Sequence, residues 1–84
     1  MHLPSVLRPI FADLPRRVDV DAATVGGAIA ELDRRWPGVQ DRLCHPGPEL
    51  RTHIHVYVDG ERSELTTPID ERSRLDVIAA ISGG

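Results

Sequence analysis

The sequence predicts an α+β domain with one helix packed across one face of a mixed sheet. Three observations lead there. Val25, Ala28, Ile29, Leu32 and Trp36 recur at the spacing of a single helical stripe. Residues 52–58 (THIHVYV) alternate strictly and run into Asp59-Gly60, a two-residue hairpin signal. Residues 74–81 (RLDVIAAI) form a last strand almost at the end of the 84-residue chain. So short a chain encloses one thin core, and residues 1–84 are read as one domain, with 82–84 as its tail.

Each element has its own local cause. The first fifteen residues hold three prolines, each lacking a backbone donor, which argues against a long central strand. A short strand fits at residues 1–3 or 6–11. Residues 16–21 (RRVDVD) put Val18 and Val20 on one face and read as a half-buried strand. Thr24 is a good N-cap for the helix that follows, and Pro37-Gly38 stops it. Gly26 and Gly27 weaken its first turn and suit a close approach to a sheet. Residues 38–51, with Pro46, Gly47 and Pro48, read as an irregular connection. In the strand at 52–58, Ile54, Val56 and Val58 share a face. After the turn, residues 61–65 return as a short, charged edge strand. A turn-rich stretch around Pro68 leads to the final strand. There Leu75, Val77, Ala79 and Ile81 point one way, and Ile78 and Ala80 point the other. A strand apolar on both sides is either central in its sheet or has something to bind.

Composition narrows the functional classes. A formal charge of -3 argues against a nucleic-acid binder. No apolar run approaches the roughly 20 residues that cross a bilayer, and the N-terminus lacks a secretory profile. The single cysteine, Cys44, excludes a disulfide framework and a Cys-rich metal site, and fits a reducing cytoplasm. All ten basic residues are arginine, and asparagine is also missing, a bias expected of a GC-rich bacterial genome. The only ordinary amine is therefore the N-terminus.

Catalytic groupings are poor. Asp70-Glu71 sits in a turn and reads as solvated charge. His53 and His55 share a strand face and could together hold a metal, but no third or fourth ligand is evident, so a solvated face is the preferred reading and no metal is expected. His2 and His45 are isolated. Cys44, beside Arg42 and His45, reads as a partly buried, quiet thiol. The tail is more informative. Two terminal glycines can lie extended in a channel too narrow for any side chain, and they end in an unhindered carboxylate. Such a carboxylate is a poor electrophile, so it must be activated, for instance as an acyl-adenylate, before a nucleophile can take it. Here the glycines follow directly on a strand with an apolar outer face.

Several segments together carry a family resemblance. HVYVDGE, then RLDVIAAISGG, and the helix TVGGAIAELDRRWPG resemble the MoaD/ThiS family of ubiquitin-like sulfur carriers, over residues 16–84. Leu7-Arg8-Pro9 and the run from Gly38 to Leu43 (GVQDRL) look like the subgroup serving cysteine synthesis. The resemblance implies a β-grasp fold and a protein that is cargo vehicle, not catalyst. An E1-like adenylyltransferase would activate Gly84 with ATP and magnesium, so the chain itself binds no cofactor. A sulfide or persulfide donor would convert Gly84 to a thiocarboxylate, and a downstream synthase would take the sulfur. By the same resemblance Gly83 and Ser82 form the threading tail, and Ile78 and Ala80 dock partners. The N-terminus departs from the pattern: residues 1–3 leave room for only a stub of the first strand, which is either short or begins upstream. Two rivals stand beside the carrier, a ubiquitin-like modifier attached through Gly84 and an interaction module whose tail is incidental. The pathway (cysteine, molybdopterin, thiamine or a secondary metabolite) is chosen by the partner.

Overall fold

The alternation at residues 52–58 becomes strand β3 (Ile54–Val58), which in the computed structural model is the middle of a three-stranded antiparallel ladder, between β4 (Glu61–Ser63) and β5 (Leu75–Ala79). Residues 1–46 and 49–80 are described. The turn Asp59-Gly60 has the two positive φ values, 52° and 85°, that this hairpin needs. It leads to β4 (Glu61–Ser63), where Ser63 Oγ donates to Val56 O at 2.8 Å. The expected strand at 61–65 stops early. Residues 64–67 close a turn through Thr67 N to Glu64 O, and Leu65 O is taken by the helix. Strand β5 (Leu75–Ala79) pairs along all five residues of β3, from Val58 with Leu75 to Ile54 with Ala79. Ile81 lies outside the described residues.

The N-terminal segment completes the sheet in miniature. His2 N donates to Leu75 O and Val77 N to His2 O, so the stub runs parallel to β5 and makes the sheet mixed. On its other side Leu3 N reaches Arg16 O and Val18 N reaches Met1 O. The strand expected at 16–21 thereby shrinks to one bridge at Arg17. Pro4 follows Leu3 and Pro15 precedes Arg16, and a proline has no N–H with which to extend the ladder. Val18 is buried all the same. Residues 6–11 are no strand: a 3-10 turn at Ser5–Leu7 and the turns after it fold the segment back and bury Leu7 and Leu14.

Helix α1 (Val25–Arg35) starts where its cap requires, with Thr24 Oγ1 accepting from Gly27 N at 3.0 Å. Its stripe of Val25, Ala28, Ile29 and Leu32 is buried against Val56, Val77 and Leu75 in one core. Trp36 lies just past the helix and is half-buried. The close approach expected at Gly26 is to the loop after β4, not to the sheet face. Gly26 N donates to Leu65 O at 2.8 Å, and a Cβ there would stand 3.2 Å from the same oxygen.

The connection read as irregular holds further structure. Helix α2 (Val39–Leu43) begins after Gly38, whose φ of 103° favours glycine. Asp33 Oδ1 accepts from both Gly38 N (3.0 Å) and Gln40 N (3.1 Å), tying α1 to α2. Val39 and Leu43, one turn apart, are fully buried. A small hairpin follows, β1 (Cys44–His45) against β2 (Glu49–Leu50).

Candidate functional site

The site is built where β5 ends. Alternation along β5 sends Leu75 and Val77 into the core and leaves Ile78 46% exposed on the outer face. Ala80 is exposed too, and its N–H donates to His53 O at 2.7 Å, fastening the last described residue beside the start of β3. The expectation that Ile78 and Ala80 stand outward is met. Ser82, Gly83 and Gly84 lie outside the described residues.

Register assembles the rest of this face, since cross-strand partners share a side. His55 stands opposite Ile78, and Tyr57 is flanked by Asp76 and Arg62. His2 bridges Asp76 and Arg17. A row Arg17, His2, Asp76, Tyr57, Arg62 thus crosses the sheet, with Ile78 and His55 in the next row. Arg74 steadies Asp76 through a 3.2 Å ion pair, and Arg74 N donates to Asp59 Oδ1. Sequence alternation places Tyr57 and His55 on this face. It says nothing of His2, which arrives through a parallel bridge to Asp76, or of Arg17, which follows through an antiparallel bridge to His2.

Two further exposed apolar residues, Val6 and Ile10, were not singled out from sequence. With Arg42, Arg51 and His53 they line an open groove between the N-terminal turns and α2. His53 joins this groove to Ala80. The only signal for it was the four-residue spacing of Val6 and Ile10 within a proline-rich stretch.

The titratable candidates separate. His53 is exposed and His55 half-buried, and among the described residues no three His, Cys, Asp or Glu side chains gather as a metal would require. Cys44 is 5% exposed, and burial pushes its thiol up from the ordinary 9.0, outweighing the opposing pull of Arg51. A raised thiol is a weak nucleophile at neutral pH. No buried side-chain N or O among the described residues is left unpartnered. The arrangement leaves the outer face of β5 open, with exposed Ile78 opposite His55.

Comparison with known proteins places the chain. The profile of the ThiS family matches residues 4–84. The sulfur carrier protein CysO of Mycobacterium tuberculosis is 26% identical over 90 aligned positions, covering 100% of this chain and 96% of the relative. Small archaeal modifier protein 1 of Haloferax volcanii is 35% identical over 83 positions, covering 89% of this chain and 95% of that one. Among solved structures, the BexX/CysO complex of Amycolatopsis orientalis superposes with a TM-score of 0.87 at 26% identity, covering 99% and 96% of the two chains. SAMP1 of Haloferax volcanii gives 0.77 at 32% identity, covering 99% and 94%. The helix on a mixed sheet is thus the β-grasp architecture of these neighbours, and the chain belongs to the ThiS family.

Proposed function

We propose that this protein is a sulfur carrier. An E1-like adenylyltransferase adenylates the Gly84 carboxylate with ATP and magnesium. A sulfide or persulfide donor displaces AMP to leave a thiocarboxylate. A downstream synthase then removes the sulfur and returns the carboxylate. Gly83 and Ser82 let the terminus thread a narrow channel, while Ile78 and Ala80 bear on the partner. The protein is a co-substrate of its partners and not a catalyst, acting in the cytoplasm. Among the described residues no helix is long and apolar enough to cross a membrane. The observation that carries the reading is the pairing of Ile78, left open on the outer face, with a Ser-Gly-Gly ending a few residues on, in a chain related along its length to CysO sulfur carriers. Deleting Gly83 and Gly84 tests it. The shortened chain is expected to fold as before and to support no sulfur transfer; transfer that survives the deletion overturns the proposal.

The relation to small archaeal modifier protein 1 favours a second reading, conjugation of Gly84 to amines of other proteins. It shares the activation step and differs in the nucleophile. A ladder of higher-mass conjugates in lysates that disappears with Gly84 would support it.

A further inference from the structure

The large hydrophobic side chains left exposed among the described residues are not scattered. Val6, Ile10 and Ile78, at 44%, 46% and 46% exposure, gather where β5 ends. We infer, building on the carrier reading, that the groove holding Val6 and Ile10 is a second docking surface, and that its occupant is an acidic, leucine-bearing segment of the adenylating enzyme. Together with the outer face of β5 it brackets Ala80, from which the chain runs on to Gly84.

The sheet sets this placement. Ala80 N–H donates to His53 O at 2.7 Å, so β5 ends beside His53. His53 and Ile54 both line the groove, with Val6, Ile10 and Arg42. Ile54 belongs to the core beneath α1, so the groove lies on the helix side of the sheet. Ile78 stands on the opposite face, two residues before Ala80. An enzyme that closes on the chain at Ala80 therefore meets apolar surface from both faces. Single exposed apolar residues need no explanation, but a set confined to one end of a sheet marks an interaction surface.

Charge selects the occupant. Arg42, Arg51 and His53 border the groove, while Asp41 is the one acid among its described lining residues. On a chain of formal charge -3 this basic rim is local, and it favours a segment carrying carboxylates. Among the ion pairs of the described residues neither Arg42 nor Arg51 has an acidic partner, so both can take one. Arg51 is already held in place. Its amide donates to Leu43 O at 2.9 Å and its Nε to Asp41 O at 2.8 Å, which leaves its two terminal nitrogens for a carboxylate. The apolar part is equally fixed. Phe11 N donates to Leu7 O, and the Phe11 ring stands 3.5 Å from where a Cβ on Gly38 would be. A surface set before binding loses little entropy on docking. A leucine between Val6 and Ile10, with carboxylates on Arg42 and Arg51, satisfies both parts of the groove.

Two measurements on the full chain test this. First, isotope-labelled protein is titrated, under amide NMR, with an acetylated hexapeptide of alternating leucine and glutamate and with its leucine–lysine counterpart. The glutamate peptide is expected to shift the amides of Val6, Ile10, Arg42 and His53 saturably, and the lysine peptide to leave them in place. Second, pyrophosphate exchange by an E1-like adenylyltransferase is measured with Arg42→Glu, Ile10→Ser and Arg72→Glu. The last makes the same charge change on the turn at the other end of β5. Arg42→Glu is expected to raise the KM for the carrier about tenfold and Ile10→Ser about fivefold, with kcat unchanged. Arg72→Glu should move neither. Added salt should raise the wild-type KM and narrow its gap to Arg42→Glu. All three side chains are exposed, so the melting curves should stay close to wild type. Peptide shifts confined to the outer face around Ile78, an equal response to both peptides, or none, overturn the inference. So does a wild-type KM in both Arg42→Glu and Ile10→Ser. Self-association of the wild type that Ile10→Ser abolishes also overturns it, since a second copy would then fill the groove. Wild-type protein that supports no exchange strikes the carrier reading instead, and the peptide titration then decides the groove alone.

Discussion

Val77 and Ile78 are adjacent residues on opposite faces of one strand, 4% and 46% exposed, and the same replacement at each separates fold from docking. Val77→Thr is nearly isosteric but puts a hydroxyl among the core contacts of α1 and β3, with no partner there. An unsatisfied buried hydroxyl costs about 2 kcal/mol. For a domain of this size that lowers Tm by about 10 °C. Ile78→Thr keeps the β-branched shape the strand prefers and faces solvent, so its cost to the fold is about 0.5 kcal/mol. On docking the balance reverses. Fully burying an isoleucine is worth roughly 1.5–3 kcal/mol, and about half of Ile78 remains to be covered by a partner. Losing that apolar surface costs about 1 kcal/mol, or about fivefold in the KM for the carrier. Pyrophosphate exchange by the activating enzyme, with melting curves on the same samples, reads both quantities. An unchanged KM for Ile78→Thr, or a Tm loss matching that of Val77→Thr, would refute the assignment of the outer face.

Asp33→Ala leaves the amides of Gly38 and Gln40 without their shared acceptor, and is expected to cost about 1–2 kcal/mol in urea denaturation, with Asp33→Asn recovering part of it. Thr24→Ala removes the α1 cap and should cost about 1 kcal/mol, while Thr24→Ser should lose little. The Cys44 thiol is held above its ordinary 9.0 by burial, so it favours the folded state while neutral. That contribution is fully present below the unfolded thiol's pKa and is lost as pH rises through the raised folded value. Melting followed from neutral to alkaline pH should show the decline in wild type and a smaller one in Cys44→Ala.

Most of the sheet and α1 could be read from sequence, because each rests on local causes. Thr24 caps, Pro37-Gly38 stops, Asp59-Gly60 turns, and period-two alternation sorts Val77 from Ile78. Helix α2 escaped because its five residues show only Val39 and Leu43 as a pattern, and its capping group is Asp33, on the preceding helix. The strand at 16–21 was over-read for the opposite reason. Val18 and Val20 alternate as a strand would, but the prolines on either side of the pairing region leave it one bridge. At the site, Ile78 and Ala80 were legible because exposure of an apolar residue follows from alternation. The groove at Val6 and Ile10 was not, since it depends on α2 and on the 3-10 turn, both set by contacts distant in sequence.

Mass spectrometry of the C-terminal peptide puts the chemistry of Gly84 to trial without intermediaries. After incubation with a purified E1-like adenylyltransferase, ATP, magnesium and sulfide, that peptide is predicted to gain the mass of one sulfur in exchange for one oxygen, and to lose it again when the sulfur acceptor is supplied. A peptide that keeps its original mass while pyrophosphate accumulates, or a gain located at Cys44 instead, would contradict the account.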